Sequence, residues 1–214
     1  MLAARAAATG IAPILIVYGF DRIDRYGDVR QNDPPEGFSR RVFVDRINRQ
    51  DYIIQHAEAI NFPFDSAQHA AVSSAAIGLG NYTLVDWIAG EEQSPCTALK
   101  SKDQTALANF RNQGGALVIS GDELAYDLRN TSFLPNVLRA SYVADDAQTY
   151  SASPTAGGIF NGLGTVNFDD GSHGIYDADY ADVINPSNGA TSALVYNTAS
   201  AAVQYGNGCT RLVY

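Results

Sequence analysis

Three short polar stretches carry residue types suited to proton transfer or nucleophilic attack: Gly19-Phe20-Asp21-Arg22, Gly90-Glu91-Glu92 and Ser120-Gly121-Asp122-Glu123. Each follows an apolar, β-prone run. Gathered at one rim, their five carboxylates would raise one another's pKa except where Arg22 or a metal offsets them, which is how acid and base carboxylates arise. Glu91, Glu92 and Glu123 could then serve as acid and base for glycoside cleavage, given about 5 to 9 Å between two of them across a cleft. Ser120 offers a different chemistry. It lies where a strand passes into a helix, an elbow that can lift a nucleophile above a sheet and aim amides at an oxyanion. The flanking Ile119-Ser120-Gly121-Asp122-Glu123 is not G-x-S-x-G, and Ser120 with Glu123 also reads as a capping box.

A serine nucleophile needs an imidazole to take its proton, and the chain has His56, His69 and His173. His69 falls in an alanine-rich helical stretch. His56 shares a helix face with Ile53 and Ala57, which reads as a structural histidine. His173 lies in the polar, Gly-rich loop Phe168-Asp169-Asp170-Gly171-Ser172-His173-Gly174, where a functional residue belongs. The expected catalytic set is therefore Ser120 as nucleophile, His173 as base and Asp177 orienting it. The Gly90 and Gly121 amides are the expected oxyanion donors, and Asp21, Arg22 and Glu92 complete the binding rim. Asp169, Asp170, Asp177, Asp179 and Asp182 form an oxygen-rich region that could take Ca²⁺ or could be solvated turn carboxylates; its spacing is not that of an EF-hand. No two histidines share a transition-metal spacing, so no bound metal and no cofactor is expected.

These residues need elements that bring them together. Ile14 to Tyr18, Tyr82 to Ile88 and Ala116 to Ser120 read as strands covered on both faces. Between them, Ser39 caps a helix through Phe43 and Ile47, a second helix carries Ile53, Ala57 and Ile60, and Asp65 with Gln68 opens a third through Ala70, Ala71, Ala75 and Ile77. Ser101 with Gln104 opens a fourth, ending at Gly114-Gly115, and Glu123 to Leu128 is a short fifth. Strands alternating with helices imply parallel pairing, with the loops leaving the strands' carboxyl ends meeting in one crevice. From Ser141 onward Gly, Asn, Ser, Thr and Tyr accumulate, and Ala193 to Tyr196, Ala201 to Tyr205 and Arg211 to Tyr214 read as antiparallel strands. The expected fold is an α/β, flavodoxin-like three-layer sandwich whose mostly parallel sheet is extended by antiparallel strands in the C-terminal third.

Composition narrows the partners. The 214 residues suit one domain spanning 1–214. With 14 Lys+Arg against 23 Asp+Glu, the formal charge of -9 would repel nucleic acid and anionic membranes. No apolar run approaches the roughly 20 residues that span a bilayer. A small molecule, glycan or peptide is the expected substrate. Scarce lysine and abundant Asn, Thr, Ser, Gly and Tyr suit an extracellular or periplasmic protein. Cys96 and Cys209 could form one bridge or remain two unrelated thiols.

The combination Gly19-Phe20-Asp21-Arg22, Trp87-Ile88-Ala89-Gly90-Glu91-Glu92, Ile119-Ser120-Gly121-Asp122-Glu123-Leu124 and Phe168-Asp169-Asp170-Gly171 resembles a module of large secreted bacterial proteins, some labelled N-acetylmuramoyl-L-alanine amidase or xanthan lyase. That module looks like a member of the class I glutamine amidotransferase-like superfamily. The resemblance runs from about Ile14 to Tyr214 and implies a flavodoxin-like sheet, a nucleophile elbow and a glycine oxyanion loop. Ser120 stands where true amidotransferases carry a nucleophilic Cys, and Gly90 at the oxyanion loop. The C-x-G turn is replaced by Ser120-Gly121-Asp122, and no His-x-Glu pair follows. In such modules the last strand continues beyond a position like Tyr214, so the resemblance also implies a clipped C-terminus and a place in a larger multidomain protein. Two functions follow as expectations: a serine hydrolase acting on an ester or amide, or a non-catalytic glycan-binding or accessory module of a cell-wall-acting or polysaccharide-acting enzyme.

Overall fold

The computed structural model describes residue 4 and residues 13–23, 30–33, 37–40, 48–92, 96–173, 175–197, 199–208 and 210–214. In chain order the strands are β1 (Ile14–Tyr18), β2 (Arg30–Asp33), β3 (Gly37–Arg40), β4 (Phe64–Gln68), β5 (Leu84–Gly90), β6 (Ala116–Gly121), β7 (Ala140–Ala144), β8 (Ser151–Pro154), β9 (Val166–Asn167), β10 (Val183–Pro186), β11 (Thr191–Val195), β12 (Ser200–Gly206) and β13 (Arg211–Val213). The α-helices are α1 (Tyr52–Ala59), α2 (His69–Ser73), α3 (Ser101–Asn112) and α4 (Leu124–Leu128).

β1 is buried at all five positions, as its unbroken Ile-Leu-Ile-Val-Tyr run requires, and lies parallel between β4 and β5. β5 pairs in parallel with β6, and β6 with β13. Alternate side chains sort to two faces. Leu15, Val17, Val85, Trp87, Leu117 and Ile119 enter one core with Leu107 and Phe110 of α3 and Leu124 and Leu128 of α4. Ile16, Tyr18 and Ile88 enter a second with Tyr52, Ile53 and Ala57 of α1. Beyond β13 every pairing is antiparallel: β13 with β12, β12 with β11, β11 with β8, β8 with β9, and β10 with both β12 and β7. β2 and β3 form a separate hairpin.

The expectation of an α/β, flavodoxin-like sandwich with a mostly parallel sheet is therefore corrected: the described residues build a mixed 11-stranded sheet with few helices, in which antiparallel pairings outnumber parallel ones. Two causes stand out. Parallel neighbours need a crossover, and from Ala140 onward short alternating runs joined by Gly, Asn and Ser turns give hairpin-type pairing instead. The stretch at Asp65 to Gln68, read as a helix start, is strand β4, and only His69–Ser73 after it is helical. Ser39 lies in β3, while Phe43 and Ile47 of its proposed helix, like Cys209, fall outside the described residues. Cys96 is exposed. No helix among the described residues is long and apolar enough to cross a membrane.

Candidate active-site cleft

Three loops leave β1, β5 and β6 and bond to one another. Glu92 Oε2 accepts from the backbone amides of Asp21 (2.9 Å) and Arg22 (2.8 Å), while Arg22 Nη1 donates to Glu91 Oε1 at 3.1 Å. The Asp122 amide donates to Gly90 O at 3.2 Å. Asn48, fully buried, donates through Nδ2 to Phe20 O (2.8 Å) and Arg22 O (3.0 Å) and accepts from the Tyr18 hydroxyl. Gly90 adopts φ +58°, and a Cβ there would stand 2.5 Å from Phe20 Cδ1, so only glycine lets this loop close on the first.

Arg22 is paired with Glu91, and burial is the largest cause raising Glu123, Asp182, Asp122 and Glu92. Glu123, 4% exposed, is pushed up to about 8 by burial first and by Asp145, Asp182, Asp127 and Glu91 after it. Asp182 rises to about 7, again through burial, although the Tyr126 and Ala125 amides pull it back. Asp122 is raised well above the usual carboxylate range by burial and then by Glu91 and Glu123. Glu92 rises more modestly, by burial against the two amides it accepts from. Glu91, Glu92 and Glu123 are all buried, and none of them lines the adjoining cleft.

That cleft, of about 440 Å³, opens over the face of β5, β6 and β13 that α1 leaves uncovered. Gly90, Ser120, Gly121 and Asp122 line it from the strand ends, Gln55 and His56 from α1, and Asp169, Ile175, Tyr176 and Asp182 from the later loops. Aromatic rings form much of its wall: Phe20 meets Tyr176 edge-on at 5.4 Å and Tyr52 at 6.0 Å, and Phe168 meets Tyr196 at 6.4 Å.

The structure brings Ser120 and an imidazole to the same cleft, and that imidazole belongs to His56. His56 Nδ1 lies 2.7 Å from Oδ2 of Asp86, a buried carboxylate within β5. Asp86 pairs with Val118 and Ile88 with Ser120, so Asp86 and Ser120 face the same way from adjacent strands, two residues apart in register. Their backbones are then about 7 Å apart along the strands and about 5 Å across, hence about 8 Å in all. His173 is absent from the cleft lining; its side chain is 77% exposed and lies 3.6 Å from Asp169 and 3.3 Å from Asp170. Asp177 accepts from the Tyr150 hydroxyl at 2.9 Å. Ser120 is an exposed residue within β6, and its φ is not among the positive values of the described non-glycine residues, so it does not form a strained elbow. It caps no helix either, because the start of α4 is bonded by Asp182, whose Oδ2 accepts from the Ala125 and Tyr126 amides.

Asp21 reaches His69 Nε2 at 2.5 Å, and His69 Nδ1 lies 3.7 Å from Asp103, which also accepts from the Ser73 hydroxyl. These bonds tie the loop after β1 to α2 and α3. The Asp103 hydrogen bond is the largest cause raising the His69 pKa. Asp169, Asp170 and His173 place possible ligand atoms within 4.8 Å of one another on the exposed loop. Sequence reasoning missed that His56 lines the cleft bonded to a buried carboxylate, and the signal was Asp86: a carboxylate inside an apolar strand requires a partner.

No family model and no curated protein matches the chain. Among solved structures it is similar to Gan42B, a GH42 β-galactosidase, at TM-score 0.56 and 15% identity, over 96% of this chain and 27% of that one. It is also similar to the cytoplasmic protein STM3548 from Salmonella typhimurium, at TM-score 0.55 and 11% identity over 94% of this chain and 85% of that one. A third similarity is to the exo-β-1,4-mannosidase Op5Man5 from Opitutaceae bacterium strain TAV5, at TM-score 0.50 and 13% identity over 94% and 30%. The chain thus spans about a quarter of the β-galactosidase. At these identities the likeness is one of fold, and that fold is shared with segments of two glycoside hydrolases.

Proposed function

We propose that the cleft hydrolyses an ester or amide, with Ser120 as nucleophile, His56 as general base and Asp86 holding the imidazole. The observation that carries this reading is the convergence of Ser120 and the Asp86-bound His56 on one cleft. With Nδ1–H donated to Asp86, His56 Nε2 has the lone pair that accepts the Ser120 proton as Oγ attacks the carbonyl carbon. The imidazolium returns that proton to the leaving alcohol or amine, and a water activated by the same nitrogen then releases the acyl group. Glu91 and Glu123 act in this scheme as buried supports of the loops, and His173 has no step.

The test is hydrolysis of p-nitrophenyl acetate by Ser120→Ala, His56→Ala and His173→Ala. The first two should lose at least about a hundredfold in kcat/KM, in the range of lost general base or nucleophile, and the third should match the parent. Undiminished turnover in Ser120→Ala would overturn the proposal. A second reading, a non-catalytic glycan-binding or accessory module, draws on the aromatic wall, whose rings could stack on sugar faces. It predicts retention on immobilised peptidoglycan or acidic polysaccharide by a protein inactive on every ester and amide assayed.

A further inference from the structure

The end of the cleft around Asp122 and Asp182 has an imbalance that the hydrolytic groups do not use. Asp182 is 6% exposed and lines the cleft. Its Oδ2 is taken by the Ala125 and Tyr126 amides at 2.6 and 3.0 Å, whereas Oδ1 has no protein partner. A buried carboxylate oxygen without a donor is costly unless a ligand supplies one. The groups facing Asp182 deepen the deficit. Asp145 follows β7, Asp127 lies on α4, and Asp122 and Glu123 precede α4; all of them are acidic. Tyr142 of β7, Tyr196 after β11 and Tyr214 after β13 are within electrostatic reach. Arg22 is paired with Glu91, and Arg129 stacks on the Tyr126 ring at 3.6 Å and offsets Asp127. Tyr176, Tyr196 and Tyr214 also line this cleft. Their faces are negative, so rings and carboxylates favour the same sign of charge in a ligand.

We infer that this end of the cleft receives an organic cation, an ammonium group borne by the substrate, with Asp182 Oδ1 and Asp122 as its counter-charges and the tyrosine rings as its walls. The inference rests on the cleft being the substrate site proposed above, though not on the hydrolytic step. An ammonium group gives Oδ1 the donor it lacks and offsets repulsion that protonation otherwise relieves. A neutral sugar would do only the first of these, and an alkyl group or an anion would do neither. Cation binding competes with the proton on Asp182, whose pKa is pushed up to about 7. Affinity should therefore rise with pH between about 6 and 8, and binding at pH 7 should release protons.

Titration calorimetry with benzylammonium and with benzyl alcohol, close in shape and different in charge, tests this on the whole chain at pH 6 and pH 8. Benzylammonium should bind at least tenfold tighter than the alcohol at pH 8, with a smaller preference at pH 6. Asp182→Asn keeps an oxygen for the α4 amides and should abolish most of the preference; Asp122→Asn provides the same reading if the first variant fails to fold by circular dichroism. Equal binding of the two probes, or a preference that survives both substitutions, overturns the inference. Preferential benzylammonium binding by a protein that hydrolyses no ester or amide would refute only the hydrolase reading. Ester turnover without charge preference would refute only this one.

Discussion

Replacing Glu123 by Gln should stabilise the protein, and only at high pH. Glu123 is 4% exposed and its pKa is raised from the ordinary 4.5 to about 8, chiefly by burial and then by Asp145 and Asp182. The folded state therefore keeps a proton that the unfolded chain releases. With the folded pKa above the unfolded one, stability is greatest below about pH 4.5, declines between about 4.5 and 8, and levels off above that. At about 1.4 kcal/mol per pKa unit, the full decline is about 5 kcal/mol if Glu123 titrates alone, and about 3 kcal/mol if its acidic neighbours share the proton. Gln keeps the shape and stays neutral, so Glu123→Gln should gain about 3 to 5 kcal/mol over the parent at pH 9 and under about 1 kcal/mol at pH 5. Urea unfolding of both proteins at pH 5, 7 and 9 reads this directly, and comparing the pair cancels the general effect of the -9 net charge. A variant whose advantage is the same at pH 5 and pH 9 would refute the argument.

Two further perturbations probe the loops and the dyad. Gly90→Ala forces a side chain into φ +58° and to within 2.5 Å of the Phe20 ring; a loss of about 2 to 4 kcal/mol in denaturant is expected, from backbone strain plus overpacking, and an unchanged midpoint would contradict the described loop contact. Asp86→Asn replaces the carboxylate beside His56 Nδ1 by an amide that can donate to it and select the wrong tautomer, so kcat on p-nitrophenyl acetate should fall about a thousandfold or more with the fold intact; a loss below threefold would detach Asp86 from the chemistry.

β1 and β5 were legible because Ile14 to Tyr18 is a continuous apolar run and Val85 to Ala89 is one broken only by Asp86, and such runs have few alternatives to a doubly covered strand. β4 was not legible. Phe-Asp-Ser-Ala-Gln is a short polar sequence whose Asp65 and Gln68 imitate a helix start, and only pairing along β1 makes it a strand. The weight of antiparallel pairing was also hidden, since β8 and β9 are only four and two residues long and carry little periodicity. At the site, the three loops could be found because each follows a strand that the pattern reveals. The His56 and Asp86 contact could not, because the partners are thirty residues apart on a helix and a strand whose mutual packing no local pattern encodes. Asp182 is a similar case: its carboxylate bonds the start of a helix fifty-seven residues earlier.

The position of β13 between β6 and β12 also bears on biosynthesis. Leu117 and Val118 of β6 acquire their outer neighbour only from Leu212 and Val213. While a ribosome is still producing everything in between, the nascent parallel layer carries an unclosed border of free amides and carbonyls, the kind of border that recruits foreign strands. Chains stalled after Gly206 would retain it, so incomplete translation products of this protein should be markedly more prone to clump, or to need chaperone shelter, than the finished polypeptide.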